Sequence, residues 1–298
     1  MLLWCTIIII VFIYSQRRIY KYSKPQKKIN TSEIVPTIIT YNIHKFPWTI
    51  KTFNNIVALL NKHSIILLQE CYDDTFSSLE KNFPEYHIFR DTVLGVNVLC
   101  NGLVILSKYP ITSYKSVHFK NYNSWTYDSL INKGFIIANI NINGTDICLI
   151  NTHLQSADYE RYDMIVKLQI KEIFDYINMR LNINYILGGD FNIDIKDINK
   201  IYTNNNINYY HPIKPTLYVD FNAGTTQSHS DKTHEGLIFD YFITNKNSNI
   251  TIKQLRTIYC NYSDHNPVSG IIELTKDKLE GSRPKNTLIE SNDGRNEP

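Results

Sequence analysis

The sequence predicts an α/β protein in which two mixed β-sheets pack together and helices flank them. Short apolar, β-branched runs alternate with segments of helical spacing. Some neighbouring runs are joined by hairpin signals and others by helical crossovers, which argues against a plain parallel sheet. With 43% hydrophobic and 12% aromatic residues in a chain of 298, there is ample material for one large core.

The elements follow in order. Thr37–Ile43 (TIITYNI) reads as a strand from its β-branching and boundaries. Thr49–Asn61 has helical spacing at Phe53, Ile56, Val57 and Leu60. Ser64–Gln69 is a buried strand, and Asp73–Asn82 a helix capped by Asp73 or Asp74. Gly102–Ser107, Gly134–Ile142 and Asp146–Asn151 are further strands, the last two joined by the hairpin pair Asn143-Gly144. Asp158–Met179 is a long amphipathic helix, and Tyr185–Leu187 a strand running into Gly188-Gly189. Leu237–Thr244, Thr251–Tyr259 and Val268–Leu274 close the folded body, which is expected to span residues 37–275.

The two ends differ from this body. Residues 2–14 are almost wholly apolar (LLWCTIIIIVFIY). As a helix they would cover about 20 Å, short of a hydrocarbon core of about 30 Å. No charged region precedes them and no small-residue cleavage site follows. Residues 1–15 are therefore read as a short membrane anchor, with a cleaved signal peptide or unusual burial as alternatives. Residues 16–36 form a basic linker carrying Arg17, Arg18, Lys21, Lys24, Lys27 and Lys28. A basic flank after the apolar run places the body on the cytosolic side, secretion being the alternative. Residues 276–298 are polar, without periodicity, and read as a disordered tail.

The net charge of +3 belongs to that linker; without its six basic residues the rest no longer outnumber the 28 acidic ones. The body therefore advertises no basic face for nucleic acid. The five cysteines are odd in number and scattered, with no CxxC pair, and read as free thiols rather than a disulfide framework.

Chemistry-bearing residues stand where the apolar runs end: Asn42, Glu70, His153, then Asp190 and Asn192 after Gly188-Gly189, and Asp264-His265 before the last strand. Asp240 sits within an apolar run, where a lone carboxylate would be expensive to bury. Each has a bland reading as a turn residue, helix cap or satisfied core group. Together, at one edge, carboxylates, amides and imidazoles suit Mg²⁺ or Mn²⁺ rather than structural zinc. Such a set can neutralise a phosphoryl group and deprotonate a water.

The ordered series of strand-borne Asn42, Gln69-Glu70, Asn151-Thr152-His153-Leu154-Gln155, Gly189-Asp190-Phe191-Asn192, Asp240-Tyr241 and Ser263-Asp264-His265 resembles the endonuclease/exonuclease/phosphatase superfamily over Thr37 to Leu274. The resemblance implies a four-layer α/β sandwich. It implies that Glu70, assisted by Asn42 and Asp264, holds the metal, that Asp190 and Asn192 orient the nucleophile and bind the phosphate, and that His265 is the base oriented by Asp240. His153 would stabilise the phosphate or leaving group.

Four stretches are most similar to neutral sphingomyelinases: Asn101-Gly102-Leu103 with Ser107-Lys108-Tyr109-Pro110-Ile111; Asp128 to Phe135; Asn151 to Gln155 followed by Arg161; and Gln169. Lys133 would then neutralise a substrate phosphate, with Asp128 holding it until substrate arrives; an exposed salt bridge is the plain alternative. One departure concerns the membrane. Bacterial sphingomyelinases carry an aromatic-tipped late hairpin, whereas residues 245–261 hold no Trp or Phe. Tyr122, Trp125 and Tyr127, or the N-terminal segment, could serve instead. The expected substrate is a membrane phospholipid headgroup. The alternatives are an endonuclease acting on nucleic acid, a phosphoinositide phosphatase, and an inactive binding protein of the same fold.

Overall fold

The computed structural model describes residues 21–45, 54–72, 76–91, 100–122, 131–156, 162–180, 184–201, 206–211 and 238–275. Among the described residues thirteen strands form two sheets. In chain order they are β1 (Lys21–Ser23), β2 (Thr37–Lys45), β3 (Ile65–Cys71), β4 (His87–Arg90), β5 (Val104–Ser107), β6 (Ile111–His118) and β7 (Gly134–Ile142). They continue as β8 (Thr145–His153), β9 (Tyr185–Asp190), β10 (Ile207–Tyr210), β11 (Asp240–Asn245), β12 (Ile250–Thr257) and β13 (Val268–Leu274). The helices are α1 (Asn54–Leu60), α2 (Phe76–Asn82), α3 (Tyr162–Arg180) and α4 (Ile195–Ile201).

The first sheet has the order β1-β4-β5-β3-β2-β13-β12, the second β10-β11-β9-β8-β7-β6. Among the described residues only β2/β3 and β8/β9 are parallel pairs, and each is bridged by a helical connection, α1 or α3. The central strands are apolar on both faces because both faces are covered. Ile38, Ile65 and Leu67 point inward onto Ala138, Leu149, Ile186 and Phe242 of the other sheet. Ile39, Tyr41, Ile66 and Leu68 point outward onto Ile56 and Leu60 of α1 and Leu79 of α2. On the far side Ile150 and Leu187 meet Val166, Ile170, Ile173, Phe174 and Ile177, one face of α3. The result is the expected four-layer sandwich, helices–sheet–sheet–helices.

Register places the chemistry. The C-terminal ends of β2, β3, β8 and β9 meet at one edge, together with the starts of β5, β7, β11 and β13. The Asn143-Gly144 turn, both residues at positive φ, joins β7 to β8 at the opposite edge. Where β8 and β9 converge on that first edge, Gly189 lies opposite Thr152 at φ +145, and a Cβ there would stand 2.0 Å from the Thr152 carbonyl oxygen.

Several expectations shift. Part of the stretch read as linker is built into the fold: β1 is an edge strand on β4, fixed by its ladder. β4, β6, β10 and α4 were not anticipated. β6 is an edge strand with Thr112 to Lys115 exposed, so it lacks the apolar run that betrays a strand. The last body strand but two starts at Asp240, not Leu237, because the Ile238 and Phe239 carbonyls accept from Ile195 and Phe191 instead of joining the ladder. The anchor, the tail, the start of the Thr49 helix, the caps Asp73 and Asp74, Trp125, Tyr127 and Asp128 lie outside the described residues. Among the described residues, no helix is long and apolar enough to cross a membrane.

Gly189→Ala should reduce unfolding free energy by more than about 2 kcal/mol, the scale of backbone strain added to a steric clash. Gly144→Ala, at φ +89 but in open space, should lose only about 1 kcal/mol. Urea unfolding of the two variants checks the ranking; equal losses would contradict the close approach of β8 and β9.

Candidate functional site

The second sheet lays out three of the candidate residues as neighbours in its ladder. His153 on β8 lies opposite Asp190 on β9, and Asp190 lies opposite Asp240 on β11. All three are buried. The residues that follow the two aspartates, Phe191 and Tyr241, stack with ring centroids 4.2 Å apart and 7° between planes, which fixes the ends of β9 and β11. The first sheet contributes Asn42 from β2 and Glu70 from β3.

Two opposed aspartates would repel, and His265 resolves the conflict. Its Nδ1 donates to Asp240 Oδ2 at 2.8 Å, and its Nε2 lies 3.6 Å from Asp190 Oδ2. Burial alone would favour the neutral imidazole. The Asp240 and Asp190 carboxylates outweigh it and hold the His265 pKa well above its ordinary value. Burial also pushes the Asp190 carboxyl up to about 6, partly countered by His265. Ser263 positions the loop: its hydroxyl accepts from the His265 amide at 3.2 Å and donates to Asp264 at 3.0 Å.

Asn42 spans the two sheets. Its Nδ2 donates to Glu70 Oε1 at 2.9 Å and to Asp190 Oδ2 at 3.0 Å, while its Oδ1 accepts from the His44 amide. His153 Nε2 stands 3.6 Å from Asp190 Oδ2 and 3.9 Å from Glu70 Oε1. Burial, then the charges of Lys133 and His265, drive its pKa well below the usual value, so His153 is neutral at pH 7. Lys133 is buried, with Nζ 3.2 Å from His153 Nε2 and 2.6 Å from the Leu154 carbonyl. Asn192 uses its amide on the same carbonyl at 2.9 Å, and its backbone N–H donates to Asp190 Oδ1 at 2.8 Å.

The structure thus gathers Asn42, Glu70, Lys133, His153, Asp190, Asn192, Asp240 and His265 around one point. Asp264 stands further out, half exposed and bonded to His44 Nδ1 at 3.0 Å. The pairing of Lys133 with Asp128 involves a residue outside the described ones; among the described residues the Lys133 ammonium stands beside His153.

His44 was not singled out from sequence. The available signal was its place two residues beyond Asn42, where its φ of 45 turns the end of β2. Also missed was a polar link at the flank, where the buried Asp91 carboxylate accepts from Asn101 at 3.1 Å, from His118 at 2.7 Å and from Ser116, tying the end of β4 to β6. Gln169 on α3 bonds the Gln155 amide and the Asn121 carbonyl, bracing two catalytic-edge loops.

The donor set fits a hard divalent cation. Oxygens of Glu70 and Asp190 approach one amide nitrogen from two sheets, so unlike strands present negative charge to a common point. Asp190, Asp240 and His265 also have ligand atoms within 4.8 Å of one another. His265 and Asp240 already bond each other through one carboxylate oxygen, which leaves the Glu70 and Asp190 oxygens beside Asn42 free to face a cation.

The sequence matches the Endonuclease/Exonuclease/phosphatase family over residues 39–265. Sphingomyelinase C 2 of Leptospira interrogans is 22% identical over 297 residues, covering 83% of this chain and 47% of that protein. Phospholipase C of Staphylococcus aureus is 33% identical over 160 residues, covering 46% of this chain and 48% of that protein. The chain spans about half the length of these curated relatives. Among solved structures, beta toxin of Staphylococcus aureus with bound magnesium ions superposes with a TM-score of 0.61 at 21% identity, over 80% of this chain and 99% of that one. TDP2 of D. rerio complexed with single strand DNA product gives 0.62 at 15% identity, over 80% and 98%. These likenesses establish the shared fold.

Imidazole titration by NMR in the metal-free protein tests the electrostatics. His265 should remain protonated as pH rises past 6.5, and Asp240→Asn should move its midpoint down; His153 should stay neutral throughout pH 6–8. A His265 midpoint below 6.5 would contradict the two-carboxylate environment.

Proposed function

The chain belongs to the endonuclease/exonuclease/phosphatase family, and on that premise we propose that it is a divalent-cation-dependent phosphodiesterase of the sphingomyelinase-type phospholipase C class. The observation that carries the chemistry is the buried Asp240–His265–Asp190 chain beside Glu70 and Asn42. The lipid substrate is favoured by the curated relatives, which are named sphingomyelinases and phospholipases C.

In this reading Glu70, with the Asn42 side-chain oxygen and Asp264 at the rim, would hold Mg²⁺ or Mn²⁺, which would supply positive charge to the phosphoryl oxygens. Asp240 keeps the His265 proton on Nδ1 and the ring in one orientation. Once the carboxylate charge around it is compensated, His265 releases its second proton, and Nε2 accepts a proton from the attacking water. Asp190, fixed by the Asn42 amide and the Asn192 backbone, orients that water. Lys133, whose ammonium stands 3.2 Å from Nε2 of neutral His153, would turn to the phosphate, and His153, freed of that contact and with its ring proton on Nε2, would donate to an oxygen of the phosphate or leaving group. Asp128 steadies Lys133 before substrate binds. The apolar run 2–14 brings the enzyme to its membrane substrate.

A second reading, a nuclease, draws on the structural likeness to TDP2 complexed with single strand DNA product. Full-length protein with Mg²⁺, offered sphingomyelin vesicles and plasmid DNA in parallel, separates the two. Phosphocholine release is the expected result; nicked plasmid without lipid turnover would replace the first reading with the second.

Glu70→Gln should fold normally and lose activity, since a neutral amide is a poor ligand for a hard cation. Chelation should likewise abolish turnover, and Mg²⁺ or Mn²⁺ restore it; full turnover after exhaustive chelation would remove the metal from the mechanism. His265→Ala and Asp240→Asn should each slow turnover by about 10²-fold or more. The double variant should be little worse than the slower single one, because the pair acts as a unit. Log-additive losses in kcat would show that the two residues work separately.

A further inference from the structure

The path of the chain into the fold bears on how this enzyme meets its substrate. β1 pairs antiparallel with β4, and Lys21 lies opposite Arg90. Arg90 lies opposite Val104, and Val104 opposite Leu68, two residues before Glu70. Lys21 is therefore at the catalytic edge, three strand spacings or about 14 Å across the sheet from the strand that carries Glu70. From there the chain runs down the rim of the sheet to Pro36 at the opposite edge and returns as β2, with Asn42 near its end.

The entry point is held firmly. The Tyr22 ring stacks on Tyr114 with centroids 5.0 Å apart, and its hydroxyl meets His87 Nδ1 at 2.7 Å. Further along, the Lys27 amide donates to the Pro84 carbonyl, and its ammonium pairs with Glu85 at 2.8 Å. Tyr14, the last residue of the apolar run, is seven residues from Lys21 and so at most about 25 Å away. The nine-residue β2 is about 30 Å long. Even fully extended, the connection leaves the near end of the apolar run short of the opposite edge.

A second observation points the same way. Among the described residues, six large apolar or aromatic side chains are strongly exposed. Three stand at the catalytic edge: Tyr122 in the connection after β6, Met164 in the first turn of α3 after β8, and Tyr259 between β12 and β13. They come from both sheets and lie on different sides of the site. Tyrosine in particular suits a bilayer interface, with an apolar ring and a polar tip. Lys21 brings positive charge to the same edge, and Arg17 and Arg18 precede it by four and three residues in sequence; anionic headgroups would meet such charge.

We propose that the segment preceding Lys21 acts as an orienting tether: it holds the catalytic edge, rather than a flank or the opposite edge, against a lipid bilayer, with Tyr122, Met164 and Tyr259 seated in the interface. This rests on reading residues 2–14 as membrane-inserting and on the lipid reading of the site. The tether takes the place of the late aromatic hairpin that residues 245–261 lack.

The test uses the full chain and vesicles of phosphatidylcholine and phosphatidylserine without sphingomyelin, so that orientation is measured apart from hydrolysis. Hydrogen exchange with and without vesicles should slow severalfold in residues 21–23, 119–122 and 258–264, and stay unchanged at the Asn143-Gly144 turn. A flexible Gly/Ser insertion of about 20 residues between residue 20 and Lys21 should leave co-sedimentation intact while the edge protection falls. Tyr122→Ala with Tyr259→Ala should reduce co-sedimentation several-fold at limiting lipid and leave hydrolysis of a soluble chromogenic phosphodiester unchanged. Protection centred on the opposite edge, edge protection unaffected by the insertion, or no co-sedimentation at all would overturn the proposal. Edge protection without phosphocholine release from sphingomyelin would instead leave the orientation standing and overturn the substrate reading.

Discussion

The site depends on a set of buried amides that pin the two sheets together at one end. Apolar packing between the sheets is strong but non-directional, and by itself would allow them to slide. Gln69 Nε2 donates to Asn151 Oδ1 at 2.7 Å, and Asn151 Nδ2 donates to the carbonyls of Leu68 and Val104 at 2.8 and 3.0 Å. One side chain of the second sheet thereby satisfies backbone groups on two strands of the first. Such groups, stripped of water, are costly to leave unbonded, so the alignment is specified. One residue beyond this pin on β3, and two beyond it on β8, come Glu70 and His153.

Given that alignment, the electrostatics follow. The ladder sets Asp190 opposite Asp240, and the sheet packing brings Glu70 toward the same region. Concentrated negative charge in a buried place requires compensation. The imidazole of His265, the amide of Asn42 and the nearby Lys133 ammonium supply part of it. The remaining demand for positive charge is what a divalent cation would meet. Local backbone strain accompanies this arrangement: His44, Glu70 and Asn192 all have positive φ, and all lie where strands end at the site.

The edge that gathers the chemistry also gathers the chain's entry point and several exposed aromatic and apolar side chains. Mixed topology explains the coincidence. Parallel pairs deliver the ends of β2, β3, β8 and β9 to one edge, so the connections leaving them must lie there too. Those connections carry whatever surrounds the substrate, while the opposite edge is closed by short turns such as Asn143-Gly144.

The sequence by itself determined the fold class and named most of the residues that the fold brings together at the candidate site. Buried strands announce themselves as apolar runs, and a functional residue at the end of such a run is visible as a polar interruption; Asn42, Glu70, His153 and Asp190 were legible in this way. Strands at sheet edges were not, because β1, β4, β6 and β10 are short or half exposed and need no continuous apolar pattern. Tertiary structure alone decided which groups share a proton or a bond. That Asn42 reaches both Glu70 and Asp190, that Lys133 lies on His153, and that Asp91 is bonded by Asn101, Ser116 and His118 are contacts between residues far apart in sequence. They arise from sheet register and packing, and periodicity along one strand carries no information about which residue of another strand will stand opposite it.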